Sequence, residues 1–301
     1  MRFFVTGASG WIGSAVVPEL LQAGHEVVGL ARSDASAERI AALGAAVRRG
    51  GLDDLDGLAA GAAESDGVVH LGYNHDFSRM AEAAQTDLAA VTAMGAALEG
   101  SDRPLLIASG TLGLAPGRVA TEADDADPAS HPRIATAQAA LAMAERGVRS
   151  IVVRFAPTVH GSGDPGFVSV LVKTALESGV SGYVGDGSNR WPAVHRLDAA
   201  RLVRLAMEGA PAGSVLHATA EDGVPAIQIA EAIGRALGLE TASVAPEHFD
   251  WLGQFFAADI PASSALTRER LAWEPAGPGL IEELEAGVYS PPETRRIAPV
   301  V

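Results

Sequence analysis

Three glycines near the N-terminus constrain the fold of this chain more than any other feature. Gly7, Gly10 and Gly13 follow a short apolar segment and precede an apolar stretch with helical spacing. Gly7 permits a tight turn, Gly10 lets the backbone approach a bound group, and Gly13 lets the helix pack closely on the strand. The segment therefore predicts a strand, a turn and a helix within residues 3–23.

The first half of the chain continues this alternation. Short apolar runs, such as VVGLA at 27–31 and SIVVRF at 150–155, alternate with helical stretches, and a late strand is expected at 215–218. Strands that are apolar on both faces are typical of a parallel sheet covered by helices on both sides. We expect an α/β fold, a Rossmann doubly wound parallel sheet with a smaller C-terminal substrate-binding lobe.

The turn between the first strand and helix predicts a dinucleotide site. In a first strand–turn–helix unit, this glycine pattern presents backbone N–H groups and the positive end of the helix to a pyrophosphate. The expected contacts come from six residues of the turn: Gly7, Ser9, Gly10, Trp11, Ile12 and Gly13.

The end of the second strand bears on the choice between NAD and NADP. An acidic side chain that binds the ribose hydroxyls of NAD is expected about 20 residues beyond the glycines. Arg32 and Ser33 stand there instead. Because a guanidinium forms charge-assisted hydrogen bonds to phosphate, the sequence favours NADPH, with NADH as the alternative.

The alternation of strands and helices becomes less regular after Val159, and this sets the expected domain organisation. We expect a dinucleotide-binding domain at 1–160, to which 190–218 return, a substrate-binding lobe or lid at 161–189 and 219–288, and a tail at 289–301. Within the lobe, residues 247–257 predict one helix rich in aromatics. Its two interpretations are packing onto the sheet domain and a lid over a flat aromatic substrate.

Composition excludes several other functions. The formal net charge is −15, from 37 acidic and 22 basic residues, which disfavours nucleic acid and anionic membrane as partners. The chain has no cysteine, and its histidines lack metal-ligand spacing, so no metal is expected. Because no leader or long apolar span is evident, we expect a cytoplasmic protein, whose oligomeric state is left open.

Several segments together resemble the extended short-chain dehydrogenase/reductase family, which includes NAD-dependent epimerases and dehydratases. They are TGASGWIG at 6–13, HLG at 70–72, ASG at 108–110, RFAPTVHG at 154–161 and VHRLD at 194–198. The resemblance covers nearly the whole chain. It implies further cofactor contacts from five residues: Leu52, Leu71, Gly72, Gln138 and Pro157.

The catalytic helix departs from the family pattern. Where the family has Tyr-x-x-x-Lys, the alignment places Ile134 and Gln138, and neither Tyr nor Lys occurs between 109 and 171. The active-site serine remains as Ser109, with Thr111 as the alternative if the alignment shifts. In this respect the chain is similar to actinobacterial ketoreductases that tailor aromatic polyketides in antibiotic biosynthesis.

The missing tyrosine leaves the proton source of a reduction open, because Ile134 has no proton to donate. The candidates are water, a hydroxyl of the substrate, and the side chains of Tyr73, His75, Thr136 and His160.

Three functions therefore compete. The first is an NADPH-dependent ketoreductase acting on a bulky small-molecule ketone, in which Ser109 stabilises the carbonyl oxygen. The second is a non-catalytic NAD(P)-binding sensor or regulator. The third is a nucleotide-sugar epimerase or dehydratase, which ranks last because its chemistry depends on the missing tyrosine.

Overall fold

The computed structural model describes residues 1–74, 79–125, 127 and 132–290. His75 and most of the expected tail, 291–301, lie outside the described residues.

Strands are numbered in chain order. They are β1 (Arg2–Thr6), β2 (Glu26–Ala31), β3 (Ala46–Arg49), β4 (Gly67–His70), β5 (Pro104–Gly110), β6 (Arg149–Phe155), β7 (Thr158–His160), β8 (Val180–Val184), β9 (Arg190–His195), β10 (Ser214–Ala218), β11 (Glu221–Pro225) and β12 (Glu240–Val244).

The helices follow the same convention. They are α1 (Gly13–Gln22), α2 (Asp34–Ala42), α3 (Leu55–Ala63), α4 (Met80–Ala97), α5 (Pro132–Ala142), α6 (Phe167–Ser178), α7 (Arg196–Gly209), α8 (Ala226–Leu237), α9 (Gly253–Phe256), α10 (Ala265–Leu271) and α11 (Leu280–Glu285).

Seven parallel strands form the central sheet, in the order β10-β6-β5-β4-β1-β2-β3. Phe3 and Val5 of β1 pack in one core with α1 and α7, whereas Phe4 packs in the opposite core with α3, α4 and α5. The inner strands are apolar on both faces because both faces are covered, whereas the edge strand β3 (AVRR) is polar and partly exposed. The predicted α/β Rossmann fold is confirmed.

Two smaller sheets lie outside the central one. β7, β9 and β11 form a three-stranded sheet, and β8 pairs with β12. A third core gathers Trp191 of β9 with side chains of α6, α8, α9 and α11. The domain boundaries expected from the sequence stay predictions.

The expected single helix at 247–257 is wrong. A 3₁₀ segment, Pro246–Leu252, precedes the short helix α9, and Asp250 interrupts the helical path with φ 48° and ψ −127°. Residue 253 lies so close to the Pro246 carbonyl oxygen that a side chain there would overlap it, so only glycine fits this bend.

Candidate functional site

The glycine turn lies at the carboxyl edge of the central sheet, between β1 and α1. Gly7 has φ +67°, and a Cβ there would lie 2.6 Å from the carbonyl carbon of Leu71. A Cβ on Gly13 would overlap the Gly7 carbonyl oxygen. Both glycines are therefore required by close backbone approach, which leaves the start of α1 open to a ligand.

The glycine turn leaves backbone N–H groups available to hydrogen-bond a pyrophosphate. The Gly10 N–H is used within the turn, donating to the Gly7 carbonyl at 2.9 Å. The N–H groups of Trp11 and Ile12 donate to no group in the described part of the chain. With α1 beginning at Gly13, they present unpaired donors at a helix N-terminus, so the turn fits a dinucleotide.

A buried hydrogen-bond chain fixes the turn to β4. Thr6 Oγ1 accepts from the Gly72 N–H at 3.0 Å and lies 2.8 Å from His70 Nδ1. His70 Nε2 lies 3.0 Å from Asp87 Oδ1 on α4. Because every member of the chain is buried or half-buried, the ends of β1 and β4 hold one geometry. Leu71 and Gly72 thereby lie against the glycine turn, and the Leu52 side chain packs beside Gly72.

The end of β2 carries an exposed cation. Arg32 forms no ion pair within the described residues, whereas Ser33 caps α2 by accepting from the Ser36 N–H. Arg49, at the end of β3, pairs with the Asp34 carboxylate nearby. Arg49 was missed by the sequence analysis, although register pairing of β2 with β3 places it beside Ala31.

Ser109 meets the two positions that replace the family's tyrosine and lysine. Ser109, Ile134 and Gln138 line one cavity of about 50 Å³, together with Arg154. Ser109 of β5 is paired in register with Arg154 of β6, and α5 packs against both strands. Ser109, Ile134 and Gln138, which are far apart in the sequence, therefore lie at one cavity, and their roles stay predictions.

Tyr73 and Arg133 form a second group at the same edge. The Cζ of Arg133 lies 4.2 Å from the centre of the Tyr73 ring, and its Nη2 donates to the Ala108 carbonyl at 2.9 Å. Burial raises the pKa of the Tyr73 phenol, while the charge of Arg133 acts in the opposite direction. Sequence reasoning named Tyr73 but missed Arg133.

Two threonines near Ser109 are closed to solvent. Thr111 and Thr136 are buried, and neither hydroxyl oxygen has a hydrogen-bond partner among the residues described. Pro157, in contrast, is half-buried at the break between β6 and β7.

His160 is the last residue of β7 and is buried beside α11. The side chain is 0% exposed, and its Nδ1 lies 2.6 Å from the Glu283 carboxylate of α11. Burial lowers its pKa to about 4. Protonation would leave an N–H at Nε2 without an acceptor in the described structure. His160 is therefore a neutral, inaccessible side chain and is not placed to donate a proton to a substrate.

Trp11 connects the glycine turn to β7. Its Nε1 donates to the Val159 carbonyl of β7 at 2.7 Å, and the Arg196 guanidinium stacks 4.2 Å from the ring centre. The side chain of Trp11 is thus engaged by Val159 and Arg196, so only its backbone N–H would be available to a pyrophosphate.

Residues 3–217 match the model of the NAD dependent epimerase/dehydratase family. The chain belongs to this family. Membership places the protein among NAD-dependent oxidoreductases of the epimerase and dehydratase type, and the glycine turn fits the dinucleotide that this chemistry needs.

Relatives agree with the family assignment. An uncharacterised protein of Saccharomyces cerevisiae is 46% identical over 293 residues, 95% of this chain and 98% of that protein. A 4-hydroxy-2-methyl-3-oxo-4-farnesyl-3,4-dihydroquinoline-1-oxide ketoreductase of Stigmatella aurantiaca is 28% identical over 241 residues, 75% of this chain and 69% of that one. A dTDP-glucose 4,6-dehydratase of Bacillus anthracis, solved with NAD, has a TM-score of 0.75 at 17% identity, covering 96% and 95% of the two chains.

Within the described residues, this family member shows no group of His, Asp or Glu side chains arranged to hold a metal ion. In the same part of the chain, every helix is too short or too polar to span a bilayer.

Proposed function

We propose that this protein is an NADPH-dependent ketoreductase. The observation that carries the proposal is the meeting of Ser109 with Ile134 and Gln138 at one cavity on the dinucleotide edge of the sheet. The Ser109 hydroxyl can donate to an oxygen that gains negative charge as hydride reaches the adjacent carbon. Gln138 can hydrogen-bond ribose hydroxyls, as the family's lysine does, without its charge.

Ile134 argues against an epimerase or dehydratase. Those reactions begin by removing a proton from a substrate hydroxyl, and an isoleucine at that position cannot accept one. A reduction asks only for a proton at the carbonyl oxygen, which another group can supply. The Stigmatella relative, named as a ketoreductase, supports the same reaction class.

The cofactor is proposed to be NADPH because of Arg32. Its exposed guanidinium, without an ion pair among the described residues, stands where the 2′-phosphate of NADPH would lie. Ser33 is proposed to contribute less to binding the 2′-phosphate, because its hydroxyl already accepts the hydrogen bond from the Ser36 N–H that caps α2.

The substrate is proposed to be a bulky ketone of the aromatic polyketide type. Trp191, Phe167 and Phe255 form an aromatic cluster in the lobe, with ring centres 4.7–5.9 Å apart. Trp251 adjoins Phe167 at 6.0 Å and is 58% exposed, so a planar substrate could reach it from solvent.

The test is NADPH oxidation by the purified protein against a panel of aromatic polyketide ketones, simple ketones and nucleotide sugars. Turnover of one or more aromatic ketones, lost in Ser109→Ala with NADPH binding retained, is the expected result. NADPH binding without turnover of any ketone would instead support a non-catalytic sensor, which the loss of Tyr and Lys also favours.

A further inference from the structure

In the ketoreductase proposed above, on which this inference rests, a proton must reach the carbonyl oxygen. The required donor must lie at the carboxyl edge of the central sheet, beside Ser109, and must be reachable by a substrate. Ile134 occupies the family's position and has no such proton, so the donor must come from another element.

The positions of the tyrosines narrow the choice of proton donor. The sequence contains three, at positions 73, 183 and 289. Tyr289 donates to Asp164 and accepts from the Gly161 N–H, and Tyr183 lies on β8 of the two-stranded sheet. Tyr73 directly follows the Leu71–Gly72 pair that lies against the glycine turn, just beyond the end of β4, which is the strand next to β5.

The basic side chains limit which residue can act as the cation beside this phenol. Lys173 is the single lysine of the sequence, and its side chain is 74% exposed on α6, paired with Glu177. A cation beside an active-site phenol must therefore be an arginine in this protein. Arg154 faces the Ser109 cavity, but its guanidinium donates to the Asp124 carbonyl and lies 3.4 Å from His217.

Arg133 is the arginine that lies both beside the Tyr73 phenol ring and next to Ser109. It stands in the first turn of α5, one residue before Ile134, with its Cζ 4.2 Å from the Tyr73 ring centre. Its Nη2 donates to the carbonyl of Ala108, the residue before Ser109. One guanidinium thus bridges the ends of β4 and β5, and it holds the phenol-bearing segment beside the serine.

We propose that Tyr73 donates the proton to the carbonyl oxygen and that Arg133 is the positioning cation beside it, so that the pair replaces the Tyr and Lys absent from α5. A bound NADPH would supply the hydride and would thereby be oxidised to NADP⁺. As the new C–H bond forms, the carbonyl π electrons pass to oxygen, which takes the proton of the Tyr73 O–H bond. The resulting phenolate recovers a proton from water.

The electrostatics of Tyr73 suit this role. Burial and the Asp87 carboxylate of α4 raise the pKa of the phenol, and Arg133 of α5 lowers it. The phenol therefore keeps its proton near neutral pH, while the nearby guanidinium stabilises the phenolate that forms during transfer. His160 and Thr136 lack this access, because both are buried away from solvent.

The test combines Tyr73→Phe with the matched control Tyr183→Phe. A lost general acid lowers turnover by about 10²–10⁴-fold, so we expect that loss in kcat for Tyr73→Phe, with NADPH affinity by calorimetry unchanged. Tyr183→Phe should retain the wild-type kcat. Urea unfolding of both variants checks that the loss does not reflect misfolding.

Arg133 is tested by the pair Arg133→Met and Arg133→Lys. Without the charge the phenol pKa rises, so Arg133→Met should lower kcat at neutral pH and move the alkaline decline of kcat to higher pH. Arg133→Lys should recover part of the rate. The pKa of the Tyr73 phenol can also be followed by ultraviolet absorbance, without substrate or cofactor. In Arg133→Met this pKa should be higher than in the wild type. In Tyr73→Phe the absorbance change that belongs to Tyr73 should be absent.

The outcomes separate this inference from the proposed function. Wild-type turnover of a ketone with kcat of Tyr73→Phe within about twofold of wild type would overturn the role of Tyr73 and leave the ketoreductase intact, with water or a substrate hydroxyl as the donor. Absence of ketone turnover by the wild type, despite NADPH binding, would overturn both.

Discussion

At the scale of single residues, the dinucleotide turn depends on positions where no side chain fits. The backbone of Gly7 occupies the space that a Cβ on Gly13 would need, and no flexible side chain is involved that could move away. Strain of this kind must be relieved by moving either β1 or α1, and both carry core side chains.

Gly13→Ala is therefore expected to lower the free energy of unfolding by about 1–3 kcal/mol and to abolish measurable NADPH binding. Urea unfolding and calorimetry give the two readouts. Gly209→Ala is the matched control, because an added Cβ at the end of α7 meets no atom within 4 Å. Equal effects of the two substitutions would contradict the steric explanation.

Arg32→Gln tests cofactor choice at the residue scale. Hydrogen bonds to charged groups contribute about 1.5–3 kcal/mol, so NADPH affinity should fall by about 10- to 100-fold while NADH affinity stays unchanged. Arg39→Gln, which removes an exposed charge from α2, is the control. An equal loss for NADPH and NADH would show that Arg32 does not contact the 2′-phosphate.

His160 gives a prediction for pH. Its pKa falls from 6.5 in the unfolded chain to about 4 in the folded protein, so between these values the unfolded state binds more protons. Stability should decline as the pH is lowered from about 6.5 to 4, by up to about 3 kcal/mol from this group. In His160→Gln the decline measured by urea unfolding should be shallower than in the wild type, and an equally steep decline in both proteins would contradict this role of His160.

At the scale of elements, the aromatic segment around the Asp250 bend holds its side chains in two environments. Phe249 and Phe256, which flank the bend, are buried, and Phe256 is 1% exposed between Trp191 and Phe249. Trp251, which directly follows Asp250, is 58% exposed.

Trp251→Ala and Phe256→Ala should therefore behave differently. Truncating a buried phenylalanine costs about 3–5 kcal/mol, so Phe256→Ala should be destabilised in urea. Trp251→Ala should keep its stability and raise KM for an aromatic ketone, with kcat little changed. An unchanged KM in steady-state kinetics would remove Trp251 from the substrate site.

The elements that sequence reasoning recovered are those with local signals. Apolar runs such as residues 150–155 show a buried strand directly, and the glycine spacing shows the turn. The β7–β9–β11 sheet was missed because its strands are short and β11 (EDGVP) lacks an apolar run. The bend at Asp250 was missed because it depends on the contact of Gly253 with Pro246, and Arg133 because sixty residues separate it from Tyr73.

At the scale of the whole molecule, cofactor binding should stabilise the folded state. A ligand at 100 times its Kd contributes about 2.7 kcal/mol, which corresponds to a rise in Tm of about 4 °C for a chain of this length. Calorimetric melting with NADPH should show this rise, and NADH at the same concentration a smaller one. No shift with either cofactor would contradict the dinucleotide site. Cytoplasmic location and the absence of nucleic-acid partners stay predictions.

The bond from the Trp11 indole to the Val159 carbonyl has a mechanical consequence. The glycine turn, which would receive the pyrophosphate, is held to β7 by this bond, and β7 is hydrogen-bonded to β9. Any closure of the lobe that moves β7 and β9 must also move the backbone amides of the glycine turn, or it must break the hydrogen bond of the Trp11 indole. A hinge for such closure is therefore expected beyond β9. The cofactor side of the site would then stay rigid while the aromatic segment of the lobe moves.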